Sequence, residues 1–166
     1  MNNILYTAKV KSTGKAPDGY CYSHVADYID MTGYGGICVN GFDAAIPPAY
    51  WGEAHDFADY LNQGDNAANL YLKNIMSSCG NNPYNAPAGA IVVVAAGAPG
   101  TSNPTAGDIA IRADDGDSAP FYNGGEMSYG PADDFPTKYT LGIYVPTKCV
   151  ANVSYCNSVA AEIFLQ

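Results

Sequence analysis

The chain has 166 residues, of which 48% are hydrophobic and 14% are charged. This length and composition predict a single globular domain over residues 1–166 and exclude an intrinsically disordered chain. The net charge is −9, and only seven residues are Lys or Arg. We therefore expect no nucleic-acid partner and no binding to anionic membrane surfaces, because both require clustered basic side chains.

The hydrophobic runs and the N-terminal segment predict where the protein is made. The longest apolar run, residues 90–96, is much shorter than the roughly 18 residues of a membrane-spanning helix. The first ten residues lack the basic and apolar regions of a signal peptide. We therefore expect synthesis in the cytoplasm and no membrane span. If the protein acts outside the cell, lysis, a virion or a dedicated export machine must carry it there.

The first predicted helix covers residues 21–31 and ends before Gly33. Its apolar members recur at helical spacing, at Tyr22, Val25, Ala26 and Ile29. Cys21 therefore lies in the first turn of this helix.

Two further helical patterns follow a glycine-rich connection over residues 33–41. A proline pair at residues 47–48 opens the second pattern, which runs through residues 49–61. The third pattern covers residues 65–76. Residues 77–87 are rich in turn-forming residues and predict a loop.

From residue 88 onwards the pattern changes to short strands bounded by Gly, Pro, Asn or Asp. The predicted strands cover residues 90–94, 108–112, 121–122, 126–129 and 139–145. This order predicts an α+β domain in which N-terminal helices pack on a C-terminal antiparallel sheet. The tail, residues 149–166, ends in an apolar stretch that we expect to pack as a last strand or helix.

Neither the cysteines nor the acidic segments predict a metal site, and we expect no cofactor. The five cysteines form no Cys-x-x-Cys pair and no zinc-ribbon spacing. Two disulfides, Cys38 with Cys79 and Cys149 with Cys156, are compatible with the sequence, as are buried free thiols. The segment Asp114-Asp115-Gly116-Asp117 lacks the spacing and the closing Glu of a calcium loop, so we expect a solvated turn.

Five segments in a fixed order carry a resemblance to a known family. They are Gly19-Tyr20-Cys21-Tyr22-Ser23-His24-Val25, Tyr50-Trp51-Gly52-Glu53-Ala54-His55-Asp56-Phe57-Ala58, Pro87-Ala88-Gly89-Ala90-Ile91-Val92-Val93, Gly107-Asp108-Ile109-Ala110-Ile111 and Leu141-Gly142-Ile143-Tyr144-Val145-Pro146. In this order they resemble the CHAP family, papain-like cysteine amidases related to the NlpC-type peptidases, which cleave amide bonds in peptidoglycan. The resemblance covers about residues 15–146 and leaves residues 147–166 as a C-terminal extension.

The resemblance implies a papain-like fold in which Cys21 is the nucleophile. The position of Cys21 supports this role independently, because the dipole of a helix favours a thiolate at its N-terminus and lowers the pKa of the thiol. A thiolate there can attack an acyl carbon while a backbone N–H at the helix start holds the oxyanion.

Asp108 lies where the family carries its histidine base. A carboxylate at this position disfavours the thiolate, because two like charges oppose each other. Glu126 lies in the segment that resembles the strand carrying the family's third residue, which orients the histidine. Two other histidines are the alternative bases. His24 follows Cys21 by one turn on the same helical face, and His55 lies on the second predicted helix.

These residues leave three functional hypotheses, of which the first two concern a peptidoglycan-directed domain. The first is an active amidase or endopeptidase that uses Cys21 with His24 or His55. The second is an inactive domain of the same fold that binds peptidoglycan or another cell-surface polymer, as a structural component of a bacteriophage particle beside other virion proteins. The absence of a histidine at residue 108 favours the second. The third is an effector toxin or its inhibitor.

Overall fold

Helices make up the N-terminal part of the chain in the computed structural model, which describes residues 3–32, 46–101, 103–130 and 138–147. The α-helices are α1 (Asn3–Ser12), α2 (Cys21–Thr32), α3 (Ala54–Leu61) and the single-turn α4 (Asn66–Asn69). Short 3-10 turns lie at Pro48–Tyr50, Met76–Cys79 and Pro83–Asn85. Within the described ranges, no helix is long and apolar enough to cross a membrane.

A six-stranded antiparallel sheet follows the helices. Its strands are β1 (Leu72–Asn74), β2 (Ile91–Val94), β3 (Asp108–Arg112), β4 (Phe121–Tyr122), β5 (Glu126–Met127) and β6 (Thr140–Pro146). Their order in the sheet is β1-β6-β2-β3-β4-β5, and every neighbouring pair is antiparallel. The prediction of an α+β domain with N-terminal helices on an antiparallel sheet is confirmed.

The sheet is covered on both faces, so its central strands are buried along their whole length. Every residue of β2 and of β3 is buried. Successive side chains of a strand point to opposite faces, and Ile91 and Val93 accordingly belong to the core shared with the helices, whereas Val92 and Val94 belong to a second core. That second core is completed by side chains from the loops and the short strands, among them Phe121 and Tyr129. Residue 108 thus begins a strand that has no solvent-facing side.

Helix α2 lies against β3 with one apolar face, and α1 packs beside it. The buried face of α2 includes Cys21, Tyr22, Val25 and Ile29, as the helical spacing predicts. This packing places the first residue of α2 over the first residue of β3.

The strand predictions hold to within two residues, and the helix predicted at residues 21–31 is confirmed as α2. The helix predicted over residues 49–61 is only partly right. A 3-10 turn ends at Tyr50, and a left-handed residue, Gly52 with φ of +87°, separates it from α3. Helix α1 was not predicted.

The helix predicted over residues 65–76 is wrong beyond its first turn. Helix α4 ends at Asn69, and Tyr71 adopts a left-handed φ of +55°. Leu72 then pairs with Pro146 at the edge of the sheet, where β1 satisfies its backbone hydrogen bonds. The contact with β6 overrides a local apolar spacing that is compatible with a helix.

Three of the five cysteines, Cys38, Cys149 and Cys156, lie outside the described residues, as do the glycine-rich connection and the C-terminal tail. Cys21 and Cys79 are both buried free thiols. The segment at residues 114–117 forms a turn, and the Asp117 carboxylate accepts a hydrogen bond from Lys9.

The glycine before β3 generates a testable prediction about how residue 108 is positioned. Gly107 has φ of +74°, and a Cβ at this position would lie 2.4 Å from the carbonyl oxygen of Val94. Gly107→Ala should therefore lower the free energy of unfolding by about 3 kcal/mol, as measured by urea denaturation. Gly97 has nearly the same φ, +76°, with open space around the Cβ position, so Gly97→Ala should cost only about 1 kcal/mol. Equal losses would show that the close approach to β2 does not require the glycine.

Candidate functional site

Cys21 is the first residue of α2 and is 4% exposed. The preceding turn is closed by the Asp18 carboxylate, which accepts a hydrogen bond of 3.0 Å from the backbone N–H of Tyr20. Gly19 follows Asp18 in the left-handed conformation, with φ of +88°. This turn reverses the chain between α1 and α2 and directs the thiol toward the sheet.

Asp108 is the first residue of β3 and is fully buried. The thiol of Cys21 forms a hydrogen bond with its carboxyl group. A buried carboxylate is costly unless hydrogen-bond donors surround it. The structure thus brings together Cys21 and Asp108, the two residues that the sequence placed at the nucleophile and base positions.

Asn123 holds the other side of Asp108. Its Nδ2 donates a 2.9 Å hydrogen bond to Asp108 Oδ1, and the residue is 1% exposed. It lies in the turn between β4 and β5, three residues before Glu126. Sequence reasoning missed Asn123, and the only signal for it is an Asn that directly follows a buried strand. In this structure Asn123, and not Glu126, contacts the residue at the base position.

Tyr129 completes the buried cluster. Burial raises the pKa of its hydroxyl well above the ordinary value, and the nearby groups of Asp108 and Cys21 raise it further. The ring packs against Phe121, with a centroid separation of 4.7 Å. Sequence reasoning treated Tyr129 only as the end of a strand and did not predict this position.

The Cys21 thiol is held in its protonated form. Burial raises its pKa from 9.0 to about 12, and the charge and hydrogen bond of Asp108 contribute to the rise. Hydrogen bonds from the backbone N–H groups of Ile109 and Tyr22 lower the pKa, and each has a smaller effect than burial or the Asp108 charge. The lowered pKa expected from the helix N-terminus is therefore wrong, because desolvation and the neighbouring carboxylate outweigh the helix.

His24 is engaged by a carboxylate on the outer side of α2. Its Nε2 lies 3.1 and 3.0 Å from the two oxygens of Asp18. Its ring stacks on Tyr28 and lies against the backbone of Gly124. The hydrogen bond from His24 lowers the pKa of the Asp18 carboxyl group.

His55 is anchored at the start of α3. Its Nδ1 lies 3.1 Å from the carbonyl oxygen of Ala106, to which it can donate a hydrogen bond. Its Nε2 lies 3.4 Å from Glu53 Oε2 and 3.2 Å from Asp56 Oδ1. The ligand atoms of these three side chains lie within 4.8 Å of one another, so the group has the composition to hold a cation. Glu53 is exposed, and the contacts of the two carboxylates with the His55 ring also account for the grouping.

Glu126 makes contacts of a different kind. Its carboxylate accepts a hydrogen bond from the Ser118 hydroxyl, and its backbone N–H donates a 2.9 Å hydrogen bond to the carbonyl of Lys15. These contacts fasten β5 to the loop after α1. The structure therefore gathers Cys21 and Asp108 with Asn123 and Tyr129, and it places Glu126, His24 and His55 in other contacts.

Comparison of the chain with protein-family models, with curated proteins and with solved structures finds no match. The functional interpretation therefore depends on the geometry around Cys21 and on the resemblance of the five sequence segments.

The buried thiol should react very slowly. A pKa of about 12 in place of 9.0 means that Cys21 at pH 7 carries about a thousandth of the thiolate of an ordinary cysteine. We expect alkylation of Cys21 by iodoacetamide, followed by mass spectrometry from pH 7 to pH 11, to rise without a plateau.

Two variants separate the contributions to this slow reaction. Asp108→Asn removes the charge beside the thiol and should speed alkylation several-fold, whereas Glu126→Gln should leave the rate unchanged. A plateau above pH 8.5 in the unaltered protein, or equal effects of the two variants, would contradict the role assigned to Asp108.

The raised pKa also makes stability depend on alkaline pH. A thiol that binds its proton more tightly in the folded state contributes its full stabilisation below pH 9 and loses it as the pH rises toward 12. Between pH 8 and pH 10.5 the protein should lose about 2 kcal/mol more of its free energy of unfolding than Cys21→Ser does, as measured by urea denaturation. Cys79→Ser serves as the comparison, since Cys79 is a buried thiol without a neighbouring carboxylate among the causes of its raised pKa. An identical pH profile for Cys21→Ser and the unaltered protein would contradict this expectation.

Proposed function

We propose that this chain is a papain-like domain of the CHAP type that binds peptidoglycan, or a related cell-surface polymer, without cleaving it. The observation that carries the proposal is the contact between the buried Cys21 thiol and the Asp108 carboxyl group. A binding domain of this kind would serve as a structural component of a bacteriophage particle, reaching the cell wall in a virion or after lysis.

The positions of three residues support the papain-like identity. Papain-like proteases combine a cysteine with a histidine and an asparagine that orients it. Here Cys21 begins a helix, Asp108 begins the facing strand, and Asn123 donates a hydrogen bond to Asp108 from the following turn. The arrangement therefore has a nucleophile, a base position and an orienting residue, with a carboxyl group in the place of the imidazole.

The chemistry of this arrangement supports binding without cleavage. Amide hydrolysis by a cysteine needs a thiolate and a nearby group that delivers a proton to the leaving amine. Asp108 disfavours the thiolate, and burial of Cys21 does so more strongly. The contacts of His24 with Asp18, and of His55 with Ala106, occupy the two side chains that the sequence offered as alternative bases.

Exposed aromatic side chains on this domain support contact with a sugar polymer. Tyr20, directly before Cys21, is 69% exposed, and Trp51 is 41% exposed. Aromatic rings present apolar faces, and the Tyr20 hydroxyl can add a polar contact. The Trp51 Nε1 already donates to the carbonyl of Ile46, which fixes the orientation of its ring.

Sedimentation with purified peptidoglycan sacculi tests both parts of the proposal. The protein should pellet with the sacculi, and neither the turbidity of the suspension nor the amount of soluble fragments should change. Tyr20→Ala should weaken binding about fivefold, because ring contacts of this kind contribute about 1 kcal/mol. Tyr6→Ala is the matched control, since Tyr6 is 59% exposed on α1.

Two results would overturn the proposal. Failure to pellet with sacculi would exclude the binding function. Release of soluble fragments that disappears in Cys21→Ser would show an active amidase or endopeptidase. Persistence of fragment release in both His24→Ala and His55→Ala would then show that neither histidine is the base.

A further inference from the structure

A pocket of about 310 Å³ lies on the outer side of α2. Its walls come from the end of α1, the loop that follows, the exposed face of α2 and the turn between β4 and β5. The charged and polar residues that line it include Lys11, Lys15, Asp18, His24 and Asp27. The pocket shares α2 with the buried thiol cluster and is lined by a different set of side chains.

Three of the charged groups that line the pocket form no ion pair. Lys11 and Lys15 are two of only seven basic residues in the chain. The ion pairs found among the described residues include neither of these lysines, nor Asp27. Lys9, on the same helix as Lys11, is by contrast paired with Asp117. Two lysines and Asp27, all three exposed, therefore line the same cavity without forming ion pairs with one another.

The floor of the pocket is held in place by contacts of its own. The His24 ring is fixed by Asp18 and stacks on Tyr28, with 6.4 Å between ring centroids. The Tyr28 hydroxyl is hydrogen-bonded to Ser12 at 3.1 Å, and the Ser12 hydroxyl accepts a hydrogen bond from the backbone of Gly124. A Cβ on Gly124 would lie 2.1 Å from the His24 ring, so the ring and this backbone are in close contact. A ligand would meet an ordered floor, which lowers the entropy cost of binding.

We propose that this pocket binds a small molecule that carries both a carboxylate and an ammonium group, such as an amino acid or a short peptide. Its carboxylate contacts Lys11 and Lys15, and its ammonium group contacts Asp27. A simple anion fits less well, because the unpaired Asp27 would repel it. The volume suits a ligand of amino-acid or dipeptide size, at the lower end of small-molecule sites. The inference does not depend on whether the domain binds a cell-wall polymer.

Titration of the full chain with small peptides, followed by two-dimensional NMR, tests the ligand chemistry. Glycine and glycylglycine should shift the amide signals of Asp27 and Gly124 in a saturable way, and the tighter of the two distinguishes a free amino acid from a peptide. N-acetylglycylglycine lacks the ammonium group and glycylglycinamide lacks the carboxylate, so each should bind about tenfold more weakly. Equal binding of N-acetylglycylglycine, or no saturable shift with any probe, would overturn the proposal.

Paired variants test the location. Lys15→Ala and Asp27→Asn should each weaken the binding of the tighter probe about tenfold. Lys73→Ala and Asp59→Asn remove one exposed charge of each sign elsewhere on the protein and should leave binding unchanged. Equal losses in the control variants would show a non-specific charge effect and would also overturn the proposal.

Discussion

The hydrogen bond between the Cys21 thiol and the Asp108 carboxyl group is the contact on which the site depends. It joins the first residue of a helix to the first residue of a central strand, at the boundary between the two layers. A carboxylate in an apolar interior needs donors, and the thiol and the Asn123 amide provide them. Burial, followed by the charge of Asp108 itself, in turn holds the thiol in its neutral form. The contact that stabilises the buried Asp108 carboxyl group is therefore also one that makes the Cys21 thiol a poor nucleophile.

The sequence predicted the helical layer and the sheet better than it predicted the residues around Cys21. Strand β2 and the middle of β3 are apolar runs close to turn-forming residues, so the local sequence is enough to predict both strands. The failed helix over residues 65–76 shows the opposite case, because β1 depends on a partner more than seventy positions away, with Leu72 opposite Pro146. Cys21 and Asp108 were predicted together through the order of the five segments. Asn123 was not, because its contact with Asp108 depends on how β4 turns into β5.

The pKa of Cys21 shows why position along a helix is a weak guide to reactivity. The sequence reveals that the thiol begins a helix, and this alone favours a thiolate. It does not reveal how deeply the first turn is buried, and burial is the largest influence on this thiol. The backbone N–H of Tyr22 does lower the pKa of the thiol, as expected at a helix N-terminus, but the net shift of this pKa is upward. Whether burial outweighs the helix dipole depends on how closely the sheet covers the first turn of α2, which the sequence alone does not show.

The edges of the sheet have a consequence for how the protein tolerates crowding. The two outermost strands are short, with three residues in β1 and two in β5. Exposed edge strands present unpaired backbone groups to which another chain can add, and short strands limit that risk. Lys73 lies in the middle of β1 and is exposed, and its charge further disfavours the approach of a second edge. The short edge strands, the charge of Lys73 and the net charge of −9 together disfavour association between copies of the protein at high local concentration.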